Sequence, residues 1–161
     1  IRMTKETSQP KAQGLGRFVC LILIALIVLS SCTKASAHPD KGEIETFLNR
    51  YFSTWSAKDM NGYGACFHPT ARITFVEKGG QCSGQGVTDF LHGQKLGHEH
   101  SAEPMNEMPT NMKISGDSRV ALAEVRWKLT KGREIITGSD FFTLLKTPDG
   151  WRIASLVFYN D

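Results

Sequence analysis

Among the residues able to do chemistry, Asp140 has the most unusual setting. Read as a strand residue, it shares a face with Ile136, Gly138, Phe142 and Leu144. A carboxyl in such company loses water and its pKa rises. Tyr51 lies on the helix face that carries Ile44, Phe47 and Leu48, so its hydroxyl is buried and needs a partner. Asp140 is the natural one, as the acid on an otherwise apolar strand face. The competing reading is a buried acid satisfied by Tyr51 or by backbone, with no turnover. His98 and His100 form an H-x-H pair around Glu99. On a strand they would share a face, but no third ligand is identifiable, so the expectation is no metal. Glu77 and His68 are further polar candidates, each read first as solvated or structural. Trp55, Tyr63, Trp127 and Phe142 can line a ligand pocket, although aromatics at helical or strand spacing fill cores first.

These side chains need elements to position them. Asp40 and Glu43 make a D-x-x-E capping pattern before Ile44, Phe47, Leu48, Tyr51, Phe52 and Trp55, one face of a helix about four turns long. Asp59 caps a second, shorter helix with Met60, Tyr63, Gly64 and Phe67, ended by His68-Pro69. From Ala71 the period becomes two: Ala71, Ile73 and Phe75 alternate with Arg72 and Thr74 up to a Gly79-Gly80 turn. A third helix is predicted over 87–96. Residues 97–110 show no period and hold two prolines, and so read as a loop with at most a short edge strand. An antiparallel meander follows, turning at Gly116-Asp117, Lys131-Gly132 and Thr147-Pro148-Asp149-Gly150. The predicted order is α-α-β-β-α-β-β-β-β, an α+β domain with helices on one face of a curved sheet.

The chain carries 19 Lys+Arg against 16 Asp+Glu, a net charge of +3. That excess resides in residues 1–31, so the remainder is neutral and presents no basic patch for nucleic acid. Neither GxGxxG nor GxxxxGK[ST] occurs, and no cofactor is expected. Lys11 and Arg17 precede an apolar run from Phe18 to Leu29. As a helix it rises about 18 Å, short of a hydrocarbon core of about 30 Å. A basic segment, a short apolar segment and small residues read as a secretory signal, with Met3 as the expected start. Leu29-Ser30-Ser31-Cys32 resembles the lipobox of bacterial lipoproteins, in which the cysteine is acylated; the alternative is cleavage at Ala35-Ser36-Ala37. The expected division is a cleaved leader over 1–31, a tether over 32–41 and one domain over 42–161. The resemblance implies anchoring to a lipid bilayer through Cys32. Thr33 in place of aspartate then favours the outer membrane facing the periplasm, in a Gram-negative host. Of the remaining thiols, Cys66 and Cys82 can pair outside the cytoplasm, but two solitary buried thiols are the preferred reading.

The helix with RYFSTWSAKD, the segment HPTARITF and the C-terminal TLLKTPDGWRIASLVFYND resemble the NTF2-like superfamily, in particular its bacterial SnoaL-like and ketosteroid-isomerase-like members. The similarity covers roughly residues 42–161. It implies a cone in which a bent sheet wraps about three helices around a deep apolar pocket, often in a homodimer. Family isomerases place an oxyanion-binding tyrosine on the first helix and a protonated aspartic acid on the penultimate strand. The resemblance puts these roles on Tyr51 and Asp140. A tyrosine and a neutral acid can both donate to a developing oxyanion, for which ketosteroid isomerase is the standard example. The family's carboxylate base falls at Phe75, which cannot take a proton. Glu77, about 7 Å further along the same strand face, is the fallback base.

Three functions follow as expectations. The first is a lipid-anchored domain holding a small apolar ligand between Trp55, Tyr63, Phe75, Trp127 and Phe142, without turnover. The second is an isomerase, cyclase or dehydratase using Tyr51 and Asp140. The third is an interaction domain with its pocket plugged by Phe75 and Trp127. An open pocket reaching Tyr51 and Asp140 favours the first two. Val120 and Leu122, apolar on the solvent side of the sheet, suggest the homodimer surface.

Overall fold

The computed structural model describes residues 38–161. The leader, the Cys32 lipidation site and most of the expected tether lie outside the described residues. Helix α1 spans Lys41–Ser56 and buries Ile44, Leu48, Tyr51, Phe52 and Trp55, five of the six residues of the face read from the sequence, with Phe47 half-buried beside them. Each such side chain contributes roughly 1.5–3 kcal/mol relative to exposure. Asp40 stands at its N-cap without a side-chain capping bond, and Glu43 pairs instead with Lys146. The first described residue, His38, stands three residues before the helix. Its ring is buried, lies edge-on to Trp151 and makes a 2.7 Å bond to the Asp117 carbonyl.

Helix α2 covers Met60–Gly64, and the Asp59 carboxylate accepts from the Gly62 N–H at 2.8 Å, as its position suggested. It stops before the predicted His68-Pro69 end, because Phe67 already belongs to strand β1, Phe67–Val76. After the turn at Gly80, where φ is +82°, come β2, Cys82–Gly86, and helix α3, Val87–His100. The sheet continues as β3 (Met105–Gly116), β4 (Val120–Lys131), β5 (Glu134–Thr147) and β6 (Gly150–Asn160). At the β3–β4 turn Gly116 has φ +123°, and a Cβ there would stand 2.3 Å from the Val120 carbonyl oxygen. Only glycine fits that reversal.

The order β2-β1-β6-β5-β4-β3 makes one six-stranded sheet. All neighbours are antiparallel except β1 and β6, which run parallel. That parallel pair sets the first strand beside the last in the interior of the sheet, leaving β2 and β3 as its edges. The element order and the α+β class are as predicted.

One segment is corrected. Residues 97–110 are not a loop: the first four complete α3, and from Met105 the chain is a full strand. Proline in mid-strand argued against this, but β3 is a sheet edge, and Pro109 opposite Trp127 sits beside a register shift at Asn111. An edge strand with a bulge tolerates a residue that lacks an N–H.

Candidate functional site

A cavity of about 130 Å³ lies between the helices and the concave sheet face. Strand alternation aims its floor inward. Trp127, Leu129, Asp140, Leu156 and Phe158 border it, while their sequence neighbours point outward. Helix α1 brings Tyr51 and Trp55, α2 brings Tyr63, and α3 brings Phe90 and Gln94. The edge strand adds Glu107, and the end of β6 adds Asn160.

The hydrogen bonds around this cavity are specific. Tyr63 donates to the Tyr51 hydroxyl at 2.9 Å, and burial pushes both phenols well above their ordinary pKa. The Trp55 indole N–H donates to Gln94 Oε1 at 2.7 Å. The Trp127 indole N–H donates to Asp140 Oδ1 at 2.8 Å. Asp140 is 3 % exposed, and burial drives its carboxyl from the usual range up to about 7, against the downward pull of the Trp127 bond. Gly138, opposite Trp127 on the next strand, makes that bond possible. A Cβ on Gly138 would lie 2.2 Å from the Trp127 ring. The indole lies across the glycine and so reaches Asp140 two residues on.

Glu107 is the residue the sequence reading missed. Its backbone is clamped to α1 by Ser56, which accepts from the Glu107 N–H at 2.9 Å and donates to its carbonyl at 3.0 Å. Its carboxyl makes no side-chain hydrogen bond among the described residues. Burial first, and the neighbouring Asp140 second, raise its pKa well above the carboxylate range. The cavity therefore holds two carboxyl groups that disfavour each other's ionisation. Among the described residues, no lysine, arginine or histidine lines it. The signal was available in principle, since Met105, Glu107 and Pro109 alternate at period two before a strong strand, but the prolines masked it.

The sequence candidates fall as follows. Tyr51, Asp140, Trp55, Tyr63 and Trp127 converge on the cavity. Tyr51 and Asp140 do not bond each other among the described residues; each has taken a nearer partner, Tyr63 and Trp127. Phe75 is half-buried behind Phe158, with ring centroids 5.1 Å apart, and does not border the cavity. The strand it occupies runs beside β6, whose Phe158 comes between. Phe142 is core beneath the site, edge-on to Tyr51 at 5.2 Å. Glu77 is exposed, and His68 bonds to Thr70 at 2.8 Å, both away from the cavity. His98 and His100 sit on the last turn of a helix, where residues two apart diverge. His98 is buried against Trp55, with ring centroids 4.4 Å apart and a pKa lowered by burial, whereas His100 is exposed. Cys66 and Cys82 are unpaired, the first buried and the second exposed rather than buried.

A family model described as "Putative lumazine-binding" matches residues 39–159. The chain belongs to that family. No curated protein matches the chain. Solved structures are similar to it in fold. A protein of unknown function with a cystatin-like fold from Nostoc punctiforme is 17% identical, with 76% of this chain and 91% of that one covered and a TM-score of 0.63. A "putative dehydratase from the NTF2-like family" from Streptomyces avermitilis is 14% identical, covering 76% and 96%, at 0.63. An NTF2-like protein of unknown function from Pseudomonas putida is 12% identical, covering 73% and 84%, at 0.64. The fold is NTF2-like, and the cavity bordered by Asp140 and Glu107 lies between its helices and its concave sheet face.

Proposed function

We propose that this domain binds a small ring-sized molecule in the cavity between α1 and the concave sheet face. The observation that carries this reading is the meeting of the buried Asp140 carboxyl and the half-buried Glu107 carboxyl with aromatic side chains from α1, α2, α3, β4 and β6 in one cavity of about 130 Å³. An engineered apolar cavity of about 150 Å³ takes one benzene ring, so the size suits one ring or a compact head group. The cavity reaches both Tyr51 and Asp140, and Phe75 does not plug it; both points favour a ligand over a filled core. The family's description adds that a flat heterocycle of the lumazine kind belongs among the compounds to try. Trp55 and Trp127 border the cavity, whereas Trp151 does not, so intrinsic fluorescence reports occupancy. A saturable change on titration with lumazine and other single- or fused-ring compounds is expected. No change with any of them at millimolar concentration would sink the binding reading.

A second reading is favoured by Glu107. The base position expected at Phe75 holds no proton acceptor, yet Glu107 brings a second carboxyl to the same cavity from a different strand. With Asp140 as the hydrogen-bond donor, that arrangement suits proton transfer beside a carbonyl, as in isomerases and dehydratases. Wild-type protein should then exchange the α-hydrogen of a bound small ketone for deuterium, and Glu107→Gln should not. Equal exchange by both would remove Glu107 as base.

The setting is part of the proposal. We place the domain at the cell envelope, anchored through acylated Cys32, facing the periplasm from the outer membrane in a Gram-negative host. Among the described residues no helix is long and apolar enough to cross a membrane. Each buried CH₂ of a lipid chain contributes about 0.8 kcal/mol, so Cys32→Ser should move the protein out of the membrane fraction. Retention of that variant in the membrane would count against the lipid anchor. The exposed Val120, Leu122 and Phe141 on the outer sheet face are the surface offered for a homodimer; light scattering at tens of micromolar decides it.

A further inference from the structure

The charged and aromatic groups around the cavity narrow the class of ligand, on the reading that a small molecule binds there. Three of its donors are engaged within the protein: the Trp55 N–H on Gln94, the Trp127 N–H on Asp140 and the Tyr63 O–H on Tyr51. The Tyr51 O–H and the amide N–H groups of Gln94 and Asn160 donate to nothing among the described residues, and the carboxyl acceptors are free as well. Oδ2 of the buried Asp140 and both oxygens of Glu107 have no hydrogen-bond partner among the described residues. The titratable groups facing the cavity are Tyr51 from α1, Tyr63 from α2, Glu107 from β3 and Asp140 from β5. Helix α3 and strands β4 and β6 contribute no ionisable side chain to it, and no basic residue lines it. The cavity can therefore carry negative charge and has no cation of its own.

Its walls suit the same guest. Indole and phenol rings present negative faces to a cation, an attraction that strengthens when the cation is desolvated. We propose that the ligand is an organic cation, a protonated amine or quaternary ammonium, whose charged head sits among Trp55, Trp127, Tyr51 and Tyr63 against the carboxyls of Glu107 and Asp140. In the free protein the pair holds protons, because two acids sharing one largely apolar cavity disfavour each other's ionisation. The bound cation replaces a proton, which leaves to solvent, so charge balances in the complex.

A neutral guest behaves in the opposite way. A carbonyl compound such as lumazine would accept the O–H of a protonated acid, and its binding would weaken as the pair ionises. The two classes therefore differ in the sign of their pH dependence.

The test uses the full-length chain and tryptophan fluorescence, with benzylamine, benzyltrimethylammonium, the neutral isostere benzyl alcohol, and lumazine, from pH 5 to pH 7. The cations should bind with affinity rising up to about tenfold per pH unit below the pair's apparent pKa. Both Glu107→Gln and Asp140→Asn, each verified as folded by thermal melting, should weaken cation binding about tenfold or more, as expected when one charge of a desolvated pair is removed. Benzyl alcohol and lumazine should bind the wild type more weakly than the cations. Benzylamine binding without benzyltrimethylammonium would narrow the class to protonated amines that donate hydrogen bonds, and still supports a cation site. Tighter binding of lumazine or benzyl alcohol than of either cation, strengthening as pH falls, would overturn the cation assignment and leave a small-ligand site standing. Silence from all four probes would overturn both.

Discussion

The two faces of β4 and β5 treat charge in opposite ways, although they are built from alternate residues of the same strands. On the outer face Arg126 grips Asp161 through two bonds of 3.2 and 2.7 Å and also reaches Ser139 at 2.9 Å. Thr137 donates to the same carboxylate at 2.7 Å. The Thr137 hydroxyl and then the Arg126 guanidinium hold Asp161 below the ordinary carboxylate range. Glu124, on the same face, pairs with Lys113 at 3.1 Å. One residue along from Arg126 and Ser139, Trp127 and Asp140 point inward, and Asp140 meets an indole N–H and a second acid, with no cation. The pleat alone separates these environments. Outside, carboxylates are matched within the chain. Inside, they are matched by protons or by whatever binds.

The largest effect should come from removing the inner partner of Asp140. Trp127→Ala deletes a buried ring and the N–H on the carboxyl together, and should cost about 3–5 kcal/mol in a denaturant titration. A loss under 1 kcal/mol would mean that the indole does not hold the site. Gly138→Ala comes next. Its methyl must displace the Trp127 ring and also the Tyr159 carbonyl oxygen, each 2.2 Å away, and such overpacking costs roughly 1–3 kcal/mol, occasionally more. The loss should be accompanied by a shift in tryptophan emission as the indole leaves Asp140. An unchanged spectrum would detach Gly138 from the geometry of the site.

The third prediction concerns pH. In the folded state Asp140 titrates at about 7, against an ordinary value of 3.8, so between those values the folded protein binds a proton the unfolded chain has released. Stability is therefore lost as pH rises through that window. Melting temperature should fall from pH 5 to pH 8 in the wild type and fall less in Asp140→Asn, which has no charge to bury. Parallel curves for the two proteins would contradict a raised pKa at this position. On the outer face the same substitution should do least. Asp161→Asn removes an exposed ion pair, and exposed pairs contribute little. A loss rivalling that of Gly138→Ala would erase the contrast between the faces.

The sequence revealed the two faces unevenly. Alternation of Val125, Trp127 and Leu129 with Glu124, Arg126 and Lys128 announces which side of β4 is dry, and Asp140 is conspicuous among Gly138, Phe142 and Leu144. Helix α1 was equally legible, because six of its residues recur at helical spacing, five of them buried and Phe47 half-buried at the edge of the same face. Glu107 was not legible. On an edge strand the apolar signal is weak, and Pro104 and Pro109 break the local pattern that marks a strand. Only the pairing of Glu107 with Leu129 across the ladder carries its carboxyl to the concave face. Hydrogen-bond partners were illegible for a related reason. Tyr51 was matched with the buried acid by elimination, but Tyr63 and Trp127 come closer, and their reach depends on ring placement that periodicity does not encode.

The account rests on the claim that Glu107 and Asp140 share one cavity in which no cation stands among the described residues. A titration of their side-chain carboxyl resonances by carbon-13 NMR, with Glu107→Gln and Asp140→Asn for assignment, addresses it directly. The pair should titrate in two linked steps, with Asp140 protonated up to about pH 7 and Glu107 well above the usual carboxylate range. Removing either acid should lower the apparent pKa of the other. Two independent transitions in the ordinary range of exposed carboxylates, unmoved by loss of the neighbour, would contradict the account.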